Sequence, residues 1–345
     1  MKKNKTVEYG KYGLMFLIPF FLVFLIFQLY PLIYTFYNSF IYSAKNGRYV
    51  TTSVGLGNFT NYVFAKTGSE FWQALAITVV LWLVNFVPQI LLALVLAAWF
   101  TDIKVKIKGQ GVFKVIMYMP NIITAATIAV LFYGMFEVQG PITSLFRSWG
   151  WCDEGGILNH GWASLIIIAF IQFWMWYGNT MIVLCAGILG INPSLYEAAS
   201  VDGATSKQQF FKITLPLLKP ILQYTLVTSA IGGLQMYDIP QLFNEGNPVV
   251  RVGGSDVNST TTVVMLIKKY VSAGPTQDYG KAAAYSVMLF AFTLIISLLF
   301  YKLTSEKTDK VGSDRIKSNG NEGFKICHLY HTLFPVNHTV LYFVN

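Results

Sequence analysis

Apolar residues along this chain come in long blocks rather than at strand intervals or in a narrow helical stripe. Six blocks stand out, near Gly13–Tyr34, Ala74–Ala98, Val112–Phe136, Trp162–Gly190, Pro220–Ile239 and Lys281–Tyr301. A helix needs about 20 mainly apolar residues to cross the hydrocarbon core of a bilayer. Each block therefore predicts one crossing, and together they predict an all-α membrane protein: a six-span helical bundle over residues 13–302. Pro19, Pro31, Pro88 and Pro120 fall inside or at the ends of blocks. Such breaks are tolerated in a membrane where neighbouring helices satisfy the freed carbonyls. The first block is too long for a cleaved signal peptide, and no small-residue cleavage site follows it. Residues 1–12 form a short polar lead. Residues 303–345 form a tail: Leu303–Asn321 is polar and expected to be disordered, and Gly323–Asn345 turns apolar again. That last piece is too short and interrupted to span.

Composition agrees with the pattern. Of 345 residues, 54% are apolar and only 12% charged, where a soluble domain carries roughly 25% charged residues. Mean hydropathy is +0.51. Disorder throughout, a coiled coil and a disulfide scaffold are excluded. Cys152, Cys185 and Cys327 show no metal-type spacing and no even framework, so they are read as unpaired thiols. His328 and His331, three apart, are read as incidental residues of the tail rather than metal ligands. No metal and no cofactor is expected.

The formal net charge is +9. Its distribution is more telling than its size, because Lys and Arg accumulate on the cytoplasmic side of membrane proteins. With the N-terminus in the cytoplasm, seventeen Lys and Arg fall inside and eight outside. The bias predicts both termini in the cytoplasm, which an even number of spans requires. No nucleic-acid motif is present, so nucleic acid is not an expected partner.

The span interiors carry almost no charge; Glu137 and Asp238 sit at span ends. Ion-coupled carriers place ionisable groups near the midplane. No phosphate-cradling loop with Gly-Lys before Ser or Thr occurs, nor a zinc-binding His-Glu pattern, nor a glycine-flanked serine nucleophile. No catalytic residue is expected, and energy for uphill transport must come from a separate subunit.

The segment 191–219, between the fourth and fifth blocks, carries the most information. Ser194 and Glu197 have the spacing of a capping box, with Pro193 tolerated in the first turn. Gly203 is placed to end that short helix, because glycine adopts the left-handed conformation at little cost. Thr205 and Gln208 form a second capping box. The helix they start is expected to run to about Thr214 and to stop before Pro216. The pattern is helix, glycine turn, helix, outside the membrane.

This segment resembles the EAA loop of permeases of bacterial ATP-binding-cassette importers. Glu197, Ala198, Ala199, Asp202, Gly203, Ala204, Phe210, Ile213, Leu215, Pro216 and Pro220 match its pattern. Leu17 to Phe40, Gly55-Leu56-Gly57-Asn58-Phe59, Phe71-Trp72 with Thr78, and Gly280-Lys281-Ala282-Ala283-Ala284-Tyr285-Ser286 resemble the carbohydrate-uptake branch. The resemblance covers roughly residues 13–302. Two segments depart from it: Glu245 to Thr262 reads as a longer polar insert after the fifth block, and the tail from Gly323 has no counterpart.

The resemblance implies a multi-pass permease in the bacterial inner membrane that takes up a sugar or oligosaccharide by alternating access. It implies a heterodimer with a second permease subunit, two ATPase subunits that dock on the cytoplasmic helix-Gly-helix coupling loop, and an extracytoplasmic solute-binding protein. Glu197 is then either a docking residue facing a cation of the ATPase or a cap for Ser194, or both. Sugars are held by planar amides, carboxylates and aromatic faces. Gln172, Trp176 and Asn179 share one helical face; Asn85 and Gln89 are four apart; Thr228, Gln235 and Asp238 follow at i, i+7 and i+10. These eight residues are substrate-path candidates. The competing reading makes them interhelical hydrogen bonds, worth about 0.6 kcal/mol each. Two other functions compete: uptake of another polar solute such as a glycerol phosphate, and an ion-coupled secondary carrier.

Overall fold

The computed structural model of the protein describes residues 10–46, 49–65, 69–102, 108–252, 255–272, 274 and 277–304. They are mostly helical. Five stretches are long and apolar enough to cross a membrane: Met15–Ser39, Glu70–Thr101, Ala125–Ser148, Gly161–Leu189 and Tyr279–Thr304.

The chain begins with α1 (Gly10–Phe24), a π-helical turn over Leu25–Leu29, and α2 (Tyr30–Ser39). Nothing in the Met15–Ser39 helix's most apolar window is buried. It touches the rest of the chain through α2, where Phe36 meets Phe290 edge-on, the ring centroids 6.1 Å apart. β1 (Ile41–Asn46) and β2 (Tyr49–Val54) then pair as an antiparallel hairpin.

α3 (Glu70–Thr101) is the hub of the fold. Its residues enter all four buried clusters: Phe71 and Leu75 in one, Leu81 in the next, Leu96 and Phe100 in a third, Trp82 and Phe86 in the last. α4 (Gln110–Ile122) and α5 (Ala125–Phe136) follow one another along α7 (Gly161–Leu189). A Cβ on Gly178 of α7 would lie 2.1 Å from the Met117 carbonyl oxygen, so glycine is what lets α4 approach. The predicted single helix Val112–Phe136 is therefore two helices. Ile123 and Thr124 between them are extended, and the Thr124 hydroxyl accepts from the Thr127 amide at 3.3 Å to cap α5.

At Glu137–Gly140 the chain reverses. The Thr143 hydroxyl of α6 (Pro141–Ser148) donates to the Phe136 carbonyl at 2.7 Å, and a Cβ on Gly140 would sit 2.5 Å from the Met135 oxygen. The apolar stretch Ala125–Ser148 is thus a bent pair and not one rod.

After α7 come α8 (Pro193–Val201), α9 (Ser206–Gln209), a π-turn over Phe210–Thr214, α10 (Leu215–Leu217) and α11 (Lys219–Leu234). The predicted fifth span to Ile239 stops at Leu234. Residues 235–237 are not helical, and Ile239 belongs to α12 (Asp238–Asn244). α11 has 16 residues, short of a full crossing on its own. The polar insert folds as a hairpin, β3 (Val249–Val252) against β4 (Ser255–Asn258), followed by α13 (Val263–Val271). The two hairpins correct the all-α expectation. Both lie outside the long apolar helices, where strand edges can meet water or other protein. The chain's described part ends with α14 (Tyr279–Thr304). Cys327, His328, His331 and the whole of Gly323–Asn345 lie outside the described residues, as does most of the lead 1–12.

Polarity across the helices runs opposite to a soluble protein. Thr78, Asn85, Gln89, Gln172 and Thr180 are buried, while Leu91, Val95, Trp99, Ile166, Phe170 and Leu298 are exposed. Apolar exteriors with polar interior contacts are what lipid as solvent selects.

Candidate functional site

Two sites emerge, one on the loop 191–219 and one between α3, α7 and α11.

On the loop, the first cap is not the expected one. The Asn192 side chain accepts from the Ser194 amide at 3.1 Å, so Asn192 is the N-cap, Pro193 the first helical residue and Ser194 lies inside α8. Glu197 consequently has no cap to close. Its side chain is exposed and has no hydrogen bond or ion pair among the described residues. The other end follows expectation. Gly203 has φ +77°, the Ala204 amide donates to Ala199 O at 2.9 Å and the Gly203 amide to Ser200 O at 3.1 Å. This is the Schellman arrangement that ends a helix on glycine. Thr205 and Gln208 form the reciprocal box: the Gln208 amide donates to the Thr205 hydroxyl at 3.3 Å, and the Thr205 amide to Gln208 Oε1 at 2.8 Å.

Pro216 does not stop the second helix. The π-turn over Phe210–Thr214 adds a residue to the turn before it, and the chain stays helical through Leu217. Residues that sequence reasoning missed clip the two helices together. Buried Gln209 donates to the Ser200 hydroxyl at 2.9 Å, and the Tyr196 and Thr214 hydroxyls bond at 2.9 Å. Their polar side chains at helix spacing were the available signal. Glu197, Ala198, Asp202 and Gly203 remain exposed, beside exposed Leu195, Val201 and Phe211. Ala199, Ala204, Phe210, Leu215 and Pro216 are half-buried and support that face.

The second site is a cleft of about 460 Å³. All eight substrate-path candidates line it: Asn85 and Gln89 from α3, Gln172, Trp176 and Asn179 from α7, Thr228 from α11, Gln235 after it and Asp238 at the start of α12. The helical-face argument for Thr228, Gln235 and Asp238 fails, because α11 ends at Leu234. The break at 235–237 turns the chain back so that both later residues still reach the cleft. Trp82, Tyr224 and Tyr237 also line it and were not anticipated. Tyr224 precedes Thr228 by one helical turn, which was legible; Trp82 and Tyr237 were not.

Bonding divides the eight. Gln89 Nε2 donates to the Thr180 hydroxyl at 2.7 Å, an interhelical bond of the competing kind. Asn85 Nδ2 donates to Leu81 O and the Thr228 hydroxyl to Tyr224 O, both at 2.8 Å within their own helices. The side chains of Gln172, Asn179, Gln235 and Asp238 have no hydrogen-bond partner among the described residues, and the Trp176 ring is 45% exposed. Free amides, one carboxylate and an open indole face therefore converge on one space. Glycine opens it: a Cβ on Gly233 would strike the Trp82 ring at 2.0 Å.

A further polar cluster lies outside the cleft. Tyr270 of α13 donates to Glu70 Oε2 at 2.5 Å, and Lys281 Nζ donates to the Tyr270 oxygen at 2.8 Å while lying 3.6 Å from Glu70. Burial, and then the Glu70 hydrogen bond, hold the Tyr270 phenol above its ordinary range, so it stays a donor. Lys281 is a structural partner that ties α3, α13 and α14.

The chain belongs to the family described as binding-protein-dependent transport system inner membrane component, whose profile matches residues 54–306. The lactose transport system permease protein LacF of Rhizobium radiobacter is 31% identical over 303 residues, covering 87% of this chain and 96% of that protein. The trehalose/maltose transport system permease protein MalF of Thermococcus litoralis is 28% identical over 309 residues, 87% of this chain and 96% of its own. The arabinooligosaccharides transport system permease protein AraP of Bacillus subtilis is 28% identical over 292 residues, 84% and 87%. Among solved structures, a bacterial ABC transporter involved in import of the acidic polysaccharide alginate aligns with a TM-score of 0.68 at 22% identity, covering 88% of this chain and 98% of the matched one. The fold is thus that of an ABC importer permease, and the family is the one that the loop's residues resemble.

Proposed function

We propose that the chain is the membrane-spanning subunit of an importer that carries a sugar or oligosaccharide through the cleft between α3, α7 and α11. The observation that carries this is the convergence of eight separately chosen polar and aromatic residues on one space of about 460 Å³, in a family whose similar members are named for lactose, trehalose/maltose and arabinooligosaccharide transport. Free amides and an indole face suit hydroxyl-rich, uncharged rings. Six crossings are proposed: α1–α2, α3, α4 with α5, α7, α11 with the 235–237 segment, and α14. The broken third and fifth members support each other through α7 and α3, as interrupted helices in a membrane require. Both termini lie in the cytoplasm.

The exposed face of α8 around Glu197 is proposed as the docking surface for an ATPase subunit. The assembly holds a second permease and two ATPases, and receives solute from a binding protein. Rigid-body movement of the ATPases, passed through the clipped α8–α9 pair, moves the permeases between inward and outward states. The carrier and glycerol-phosphate readings gain no support from a cleft with a single carboxylate, Asp238, at its rim. The test is uptake into proteoliposomes holding the complete transporter and its binding protein. Uptake of a sugar that needs internal ATP and ignores proton and sodium gradients is expected. Uptake driven by either gradient without ATP would overturn the reading.

A further inference from the structure

The cleft does not end at the break after α11. Beyond Tyr237 lies a second concavity of about 330 Å³, built by α12, β4 and α13. Tyr237 lines both spaces. Gln241, Glu245 and Asn258 face the second one with side chains that have no hydrogen-bond partner among the described residues. Lys268 sets its ammonium 4.6 Å from the Tyr237 ring centroid, and Lys269 lies 5.5 Å from that of Tyr270. The segment carrying Tyr237 is held in place from α13, whose N-cap Thr262 donates to the Met236 carbonyl at 2.8 Å.

We infer that this concavity is a second saccharide subsite, which holds the unit following the one in the cleft. The inference rests on the sugar reading proposed above. The chemistry is that of a saccharide site: two amides, a carboxylate, two ammonium groups and one aromatic ring. Each space has the size of an ordinary small-ligand site, and the shared ring joins them end to end. The ligand class is a neutral oligosaccharide. Both cations already face aromatic rings, and Glu245 would repel an anionic unit. The polar insert Glu245–Thr262 supplies the outer wall, so the departure of this chain from its family pattern lengthens the path by one subsite.

The test uses the complete transporter in proteoliposomes with radiolabelled lactose, trehalose, and malto- and arabino-oligosaccharides of two to four units. Gln241→Ala and Glu245→Gln are each expected to lower the tetrasaccharide-to-disaccharide ratio of kcat/KM about tenfold, the loss of one or two hydrogen bonds. Tyr237→Ala should lower it further and Tyr237→Phe should keep it. In the Gln241→Cys variant, without its other cysteines, tetrasaccharide but not disaccharide should slow alkylation by a maleimide. That measurement needs no transport and covers a variant that assembles poorly. Unchanged ratios with no protection, or a wild type that takes only disaccharides, would overturn the second subsite and leave the sugar reading intact. A transporter that hydrolyses ATP and carries none of these sugars would overturn the sugar reading itself.

Discussion

At the scale of single residues, the cleft and the loop make different demands. Trp176 presents an indole face to the cleft with no protein partner for that face. Trp176→Ala should raise the KM for sugar uptake about tenfold, the loss of one stacking contact of 1–1.5 kcal/mol order, with the amount of assembled transporter unchanged. Normal uptake kinetics would make the residue structural. On the loop, Asn192→Ala removes the observed cap and should cost about 1 kcal/mol of local stability. Ser194→Ala should cost less, because Ser194 lies inside the helix and only its backbone amide is used. Amide hydrogen exchange over α8 separates the two. From sequence the cap is ambiguous, because Asn192 and Ser194 are both good capping residues two positions apart. Only the position of Pro193 in the first turn decides between them.

At the scale of elements, the proposed coupling role of the α8–α9 pair depends on its rigidity. Gly203 has open space around it, yet its φ of +77° strains any β-branched residue. Gly203→Val should therefore misplace α8 without a clash, and co-purification of the ATPase subunit should fall by more than in Glu197→Gln. Glu197→Gln alone should weaken ATPase binding by about a hundredfold and so reduce co-purification, since a desolvated charge pair costs about 3 kcal/mol or more when broken. Full retention in both variants would remove this loop as the coupling element. The α4–α7 contact is the opposite case. Gly178 sits against backbone, which cannot step aside, so Gly178→Ala should push α4 away at a cost of about 1–3 kcal/mol. Lower thermal stability of the purified subunit checks it.

At the scale of the whole molecule, the proposed topology puts the α8–α9 loop and α6 on opposite sides of the membrane. With native cysteines replaced, Lys207→Cys should react with a membrane-impermeant maleimide only from the cytoplasmic side, and Ser148→Cys only from the outside. Labelling of both from the same side would refute the six-span arrangement. The Glu70–Tyr270–Lys281 cluster belongs to this scale too, because it joins α3 to α13 and α14, far away in sequence. Tyr270→Phe removes the hydrogen bonds to Glu70 and from Lys281 while leaving their 3.6 Å ion pair, and should lower stability by about 1–3 kcal/mol, the cost of hydrogen bonds to charged groups.

The sequence alone determined the class of the protein. Long apolar blocks specify membrane helices because lipid leaves a chain few other ways to satisfy its backbone. The local chemistry of Gly203, Thr205 and Gln208 set the helix-turn-helix of the loop, since every bond involved lies within a few residues. Spacing also put Gln172, Trp176 and Asn179 on one face of α7 and Asn85 with Gln89 on one face of α3. The tertiary structure decided the rest. α4 and α5 separate at Ile123–Thr124, where Thr124 caps α5, and α11 stops at Leu234, beyond which Thr262 of the distant α13 cap donates to the Met236 carbonyl. Composition does not register such breaks, because both arrangements bury the same residue types. Tyr237 joins two concavities and Lys281 meets Glu70 for the same kind of reason. Those contacts bridge separations of many tens of residues, and only the packing of α3, α13 and α14 brings their ends together.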